Sequence, residues 1–220
     1  MFKATLDEYI IQAPDKRLEE RCACLEGFAD AEEIVRRMND VAYQIRKNIY
    51  QYPRGFELAA PQIGEPYRII ILQPGDFPAP NESKTLSLIN PEILEEADYF
   101  YNWEDCLSVQ GMRGQVLRCG RIRVRYQDIS GIEHENEFSG GIAADIQHGF
   151  DHLNGKLFFD RNMRFFIPLG IYRPLKDCGL DVLNDYVATH YRMFDPTQYY
   201  SPIEMRRHGL MHPRQCLLLR

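Results

Sequence analysis

The stretch QHGFDHLNG, residues 147–155, decides how the rest of the chain is read. His148 and His152 stand four apart, so on a helix they share one face and their imidazoles can converge on one ion. The run before them, IAADIQHGFDHL (142–153), has helical spacing, and Asn154-Gly155 supplies a C-terminal stop. Metallohydrolases that use such a pair usually carry a glutamate directly after the first histidine. Here that position is Gly149.

Outward from this helix the pattern is mixed. From Asp30 to Tyr50, Ile34, Met38, Val41, Ala42, Ile45 and Ile49 recur on one face of a 3.6-residue period, with Asp30 as N-cap and Glu33 three residues later. YRIIILQ (67–73) and TLSLINPEIL (85–94) read as strands, and RIRVRYQD (121–128), the turn ISG and IEHENEF (132–138) read as a hairpin. The order implies an α+β domain in which short antiparallel sheets surround a central metal-binding helix. Residues 1–24 read as extended chain with a Pro14 turn, and DVLNDYVATHYRMF (181–194) as a helix before a polar tail.

At 220 residues with 45% hydrophobic content, the chain can bury one substantial core. A domain over 1–164 and an extension over 165–220 are expected. The net charge of −6 argues against nucleic-acid or anionic-membrane partners, which need clustered Lys and Arg. Arg121, Arg123 and Arg125 alternate along a strand, which reads as a solvated face. The six cysteines lack the spacing of a disulfide framework, Cys22-x-Cys24 has no second pair nearby, and no apolar run approaches a membrane span. Reduced thiols in an intracellular compartment, cytoplasm or organelle matrix, are the expectation.

Two further stretches bear on chemistry. Cys106 in WEDCLSV adds a thiolate to the two imidazoles, and three such ligands leave a fourth tetrahedral position open. In GFELAAPQIG (55–64), Ala59 and Ala60 permit close backbone approach, and the Gln62 amide can donate to an oxyanion. The alternative for that stretch is a tight Pro-containing connection.

Taken in order, G-F-E-L-A-A-P-Q (55–62), E-D-C-L-S (104–108) and Q-H-G-F-D-H (147–152) resemble the three motifs of the peptide deformylase family, G-x-G-x-A-A-P-Q, E-G-C-L-S and Q-H-E-x-D-H. The likeness extends over about residues 10–162. It implies that Cys106, His148 and His152 hold a divalent ion, commonly Fe(II), with Zn, Ni or Co as replacements. It also implies that Gln62 and the Leu107 N–H form an oxyanion hole. The implied reaction releases formate from the N-formyl-methionine of a new polypeptide, with the formyl-peptide as partner.

Three positions depart from those motifs: Gly149 for glutamate, and Glu57 and Asp105 for glycines. Losing a positioned general acid–base costs about 10²–10⁴ in rate, roughly 3–5 kcal/mol of barrier. Two readings follow. In one, the chain is a hydrolase in which Glu57 or Asp105 takes over the proton transfer. In the other, it is a deformylase-like protein with little turnover that binds peptides or a partner. A zinc endopeptidase fits less well, since it needs the same missing glutamate.

Overall fold

The computed structural model describes residues 5–48, 56–73 and 85–190. Helix α1 (Ala31–Asn48) buries Ile34, Met38, Ala42 and Ile45, the stripe its period dictates, and leaves Glu32, Glu33, Arg36, Arg37, Asp40 and Lys47 exposed, with Arg46 half-buried. Asp30 accepts the first helical hydrogen bond, from the Ile34 N–H, at 3.0 Å. Its expected partner behaves differently: Glu33 pairs with Arg36 at 2.6 Å.

The strands are β1 (Phe56–Ala59), β2 (Ile69–Gln73), β3 (Leu86–Cys106), β4 (Val109–Gln127), β5 (Glu133–Ser139) and β6 (Met163–Pro168). They form one sheet of order β1-β2-β3-β4-β5, with β6 paired to β4 off that path. The described pairings between these strands are antiparallel, and an isolated bridge of Ala23 with Tyr67 is parallel. Helices α2 (Gly140–Leu153), α3 (Leu169–Asp177) and α4 (Leu180–His190) complete the α+β fold. Among the described residues no helix is long and apolar enough to cross a membrane.

Several outcomes differ from the sequence reading. β3 runs well past residue 94, and it contains Asn90 and Asp98 at positive φ (51° and 60°), which break the two-residue alternation a strand is read by. GFELAAPQIG holds a strand, β1, followed by a 3₁₀ turn over Ala60–Ile63. The segment after 165, where the one expected element is the helix over 181–194, also contains the end of β6 and α3. Pro168 ends the strand and Pro174 lies inside the helix, so both look like breakers in sequence. Ile49, Tyr50 and the chain after His190 lie outside the described residues.

The chain divides into two compact units, 1–99 with 119–157 and 100–118 with 158–220. In the first, Ala143, Ile146 and Leu153 of α2 bury against Ile70, Leu72, Leu88, Ile122 and Val124. In the second, Phe165, Ile167, Tyr172, Leu183 and Val187 form a core with Trp103 against it. Trp103 stacks on Phe165, and Arg113 lies 4.3 Å from the Tyr172 ring centroid.

Candidate active site

Helix α2 is buried along most of its length, with Ala143, Ala144, Ile146, Gln147, His148, Gly149, Asp151, His152 and Leu153 all inside. Its C-terminus is fixed by Gly155, at φ 67°, where a Cβ would overlap the Glu19 carbonyl. Arg68 donates from Nη1 to the Leu153 carbonyl and to Asn154 Oδ1, both at 3.2 Å, and its guanidinium lies 5.0 Å from the Phe150 ring centroid. A cation at this end also complements the helix dipole.

His148 and His152 are 7% and 1% exposed, with ring centroids 5.1 Å apart and planes inclined at 70°. Cys106 is the last residue of β3 and is also buried. The ligand atoms of Cys106, His148 and His152 all lie within 4.8 Å of one another. One thiolate and two imidazoles suit a borderline-soft divalent ion, and three protein ligands leave a coordination position open. The residues present therefore fit a metal ion.

Neighbouring residues fix these positions. Gln147 ties α2 to β4: its Oε1 accepts from the Cys119 N–H at 2.9 Å, while Nε2 donates to the Cys119 carbonyl at 2.8 Å and to the Ala143 carbonyl within α2 at 2.9 Å. Glu104, two residues before Cys106, is clamped by Arg118, both side chains buried, with Nε–Oε1 and Nη2–Oε2 each 2.7 Å. Such a two-point carboxylate contact holds orientation as well as charge.

Gln62 is buried in the 3₁₀ turn, where its Oε1 accepts from the Ala59 N–H at 2.9 Å. That bond turns the donor end of the amide away from Ala59. Leu107 is half-buried in the two-residue turn between β3 and β4. Asp105 forms an ion pair with Arg113 at 3.0 Å and is partly exposed. Gly149 and Glu57 meet: a Cβ at 149 would fall within 3.0 Å of Glu57 Oε1. Of the C-x-C pair, Cys22 is buried, and burial pushes its thiol up to about 11, so it is held neutral as a packing group.

Arg118, Gln147 and Arg68 were not singled out by sequence reasoning. Arg118 stands in the basic run RCGRIRVR, where nothing local separates a buried arginine from exposed ones.

A buried Cys–His–His cluster that leaves a coordination position open is suited to a metal-dependent hydrolase. The family model for polypeptide deformylase matches residues 8–165. A peptide deformylase of Novosphingobium aromaticivorans is 34% identical over 173 residues, covering 70% of this chain and 88% of that one. One from Chlorobium luteolum is 41% identical over 107 residues, 49% of this chain and 56% of that one. The solved peptide deformylase of Thermotoga maritima matches with a TM-score of 0.59 at 32% identity, covering 69% of this chain and 95% of that one. The chain belongs to the peptide deformylase family.

Proposed function

We propose that this chain hydrolyses the N-formyl amide at the N-terminal methionine of newly made polypeptides, releasing formate and the free amine. The observation that carries the reading is the convergence of Cys106, His148 and His152, all buried, within 4.8 Å of one another in a chain of this family. These three residues would hold the divalent ion, with Fe(II) the first assignment and Zn, Ni or Co as replacements. When bound, the ion polarises the formyl oxygen and lowers the pKa of water.

The chain's own residues supply the rest. The Gln62 amide and the Leu107 backbone N–H act as donors to the oxygen that gains charge when water attacks the formyl carbon, a contribution of roughly 3–4 kcal/mol per donor. The bond from Ala59 fixes the Gln62 amide before substrate arrives, so no reorganisation is needed in the reaction. The Glu104–Arg118 clamp keeps the end of β3, and with it Cys106 and Leu107, in a single arrangement. Burial of both histidines keeps competing water from their nitrogens.

The same reading assigns residues 1–164 to the catalytic domain and 165–220 to an extension, supported by a family match that ends at residue 165. It puts the protein where formylated chains are made, in the cytoplasm or an organelle matrix. The comparisons lend no specific support to a binder that has lost turnover.

The test is formate release from a formyl-methionyl peptide by protein reconstituted anaerobically with Fe(II) or Co(II). Turnover that disappears in Cys106→Ala, together with loss of the bound ion, is the expected result. A protein that binds the ion and the peptide yet releases no formate would overturn it.

A further inference from the structure

Position 149 is a gap in α2 that a carboxylate from another element occupies. A Cβ built on Gly149 would come within 3.0 Å of Glu57 Oε1, and to 3.0 Å from both Cδ1 and Cγ2 of Ile70. Real Cβ atoms essentially never come as close as the Glu57 contact, so a side chain at 149 requires the end of Glu57 to shift, while Ile70 has to give by a few tenths of an ångström. Glu57 is delivered by β1, whose antiparallel register with β2 sets Glu57 opposite Leu72 and Ala59 opposite Ile70. The Oε1 atom is buried although the residue as a whole is half-exposed. The carboxylate thus lies against α2 at Gly149, the residue that follows His148.

The two positions are exchanged relative to the motifs this chain resembles, which place glycine at 57 and glutamate at 149. We propose that Glu57 is the general acid–base of the reaction, a carboxylate supplied from β1 in place of the one normally carried by the helix. The proposal rests on the hydrolytic reading above and names the group that moves its proton. The Glu57 carboxylate takes a proton from water as the water oxygen bonds to the formyl carbon. It returns that proton to the amine nitrogen as the C–N bond breaks. Formate and the free amine leave, the acidic proton of formic acid passes to solvent, and Glu57 is again a carboxylate.

The geometry also accounts for glycine in the middle of a buried helix, where it is an unfavourable residue. With Glu57 in this position, a side chain at 149 has to push the carboxylate aside. The other acidic departure does not compete for the role, because the Asp105 carboxylate is engaged by Arg113.

The experiment has a catalytic arm and a stability arm. In the catalytic arm, Glu57→Gln keeps the shape of the side chain and removes its basicity. Its kcat is expected to fall by about 10²–10⁴, with KM and bound metal per chain unchanged. The exchange variant Glu57→Gly/Gly149→Glu is expected to recover most of that loss. In the stability arm, thermal unfolding of the metal-loaded protein is followed for Gly149→Ala, Glu57→Gly and the pair. Gly149→Ala is expected to be more stabilising beside Glu57→Gly than alone.

Wild-type kcat in Glu57→Gln would overturn the role of Glu57 while leaving the deformylase reading intact. Additive Tm changes in the cycle would overturn the placement of the carboxylate. A silent wild type beside an active exchange variant would show that position 57 cannot serve as base. Silence in both would remove the reaction itself, and the proposal with it.

Discussion

Strand β4 carries two sets of arginines that differ in almost everything except charge. Arg118 is 2% exposed and gives one edge of its guanidinium, Nε and Nη2, to the buried carboxylate of Glu104. Arg121, Arg123 and Arg125 are 40–51% exposed and spread over six acids, Asp98, Glu95 and Glu92 of β3 and Glu137, Glu135 and Glu133 of β5. On the exposed side, water and several acids can replace any one partner. On the buried side water does not reach the pair, although Asn102 Nδ2 also donates to Glu104 Oε1 at 3.4 Å. The lesson is that the energetic weight of an arginine is set by what remains when it leaves, a quantity no count of ion pairs contains.

Breaking the buried pair should have the largest effect. Arg118→Met leaves Glu104 charged and buried, and a loss of about 3–5 kcal/mol is expected, a fall in Tm on the order of 10 °C. Thermal and urea unfolding would read it, and a shift of only a degree or two would dissolve the contrast.

Removing both charges sharpens it. Arg118→Leu/Glu104→Leu should regain most of the stability lost by Arg118→Met, since well-packed apolar residues often replace a buried ion pair at little cost. If the pair also holds the end of β3, activity will not return with stability, so the same variant separates brace from fold.

A smaller effect is expected on the exposed side. Arg123→Ala should move Tm by about 2 °C or less, and 1 M salt should shrink even that difference while leaving the deficit of Arg118→Met nearly unchanged. Equal salt sensitivity of the two variants would contradict the comparison.

The smallest effect belongs to Asp15, which caps the 3₁₀ turn at Lys16–Glu19 and pairs with Arg17 at 2.7 Å. Hydrogen bonds from the Arg17 side chain and then its backbone N–H lower the Asp15 pKa to about 2. A carboxyl whose folded pKa is depressed stabilises the fold above its unfolded value, near 3.9, and loses that contribution as pH falls through the folded one. Asp15→Asn should therefore flatten the pH dependence of Tm between about 4 and 2, slightly, because the pair is exposed.

How much of this was legible in the sequence follows from the range of the interactions involved. α1, α2 and the β4–β5 hairpin are written in local periodicity and turn residues, and they stand where the pattern puts them. β3 beyond residue 94 is obscured by two left-handed residues, and β6 and α3 by prolines. The cluster of Cys106, His148 and His152 is announced by residue type and order, because ligand chemistry admits few alternatives. Arg118 and Gln147 owe their roles to burial, which neighbouring residues do not encode. Glu57 is visible as an oddity, but its meeting with Gly149 depends on β1 lying beside α2, a tertiary fact.

Gln147 has one further consequence. By bonding to both the N–H and the carbonyl of Cys119, a helix side chain plays the part of a neighbouring strand's backbone. The Cys119 amide, though it belongs to a sheet, is therefore protected from hydrogen exchange by the helix. Its exchange should follow the undocking of α2 rather than the fraying of β4. A single strand amide thus serves as a clock for the helix that carries both histidines.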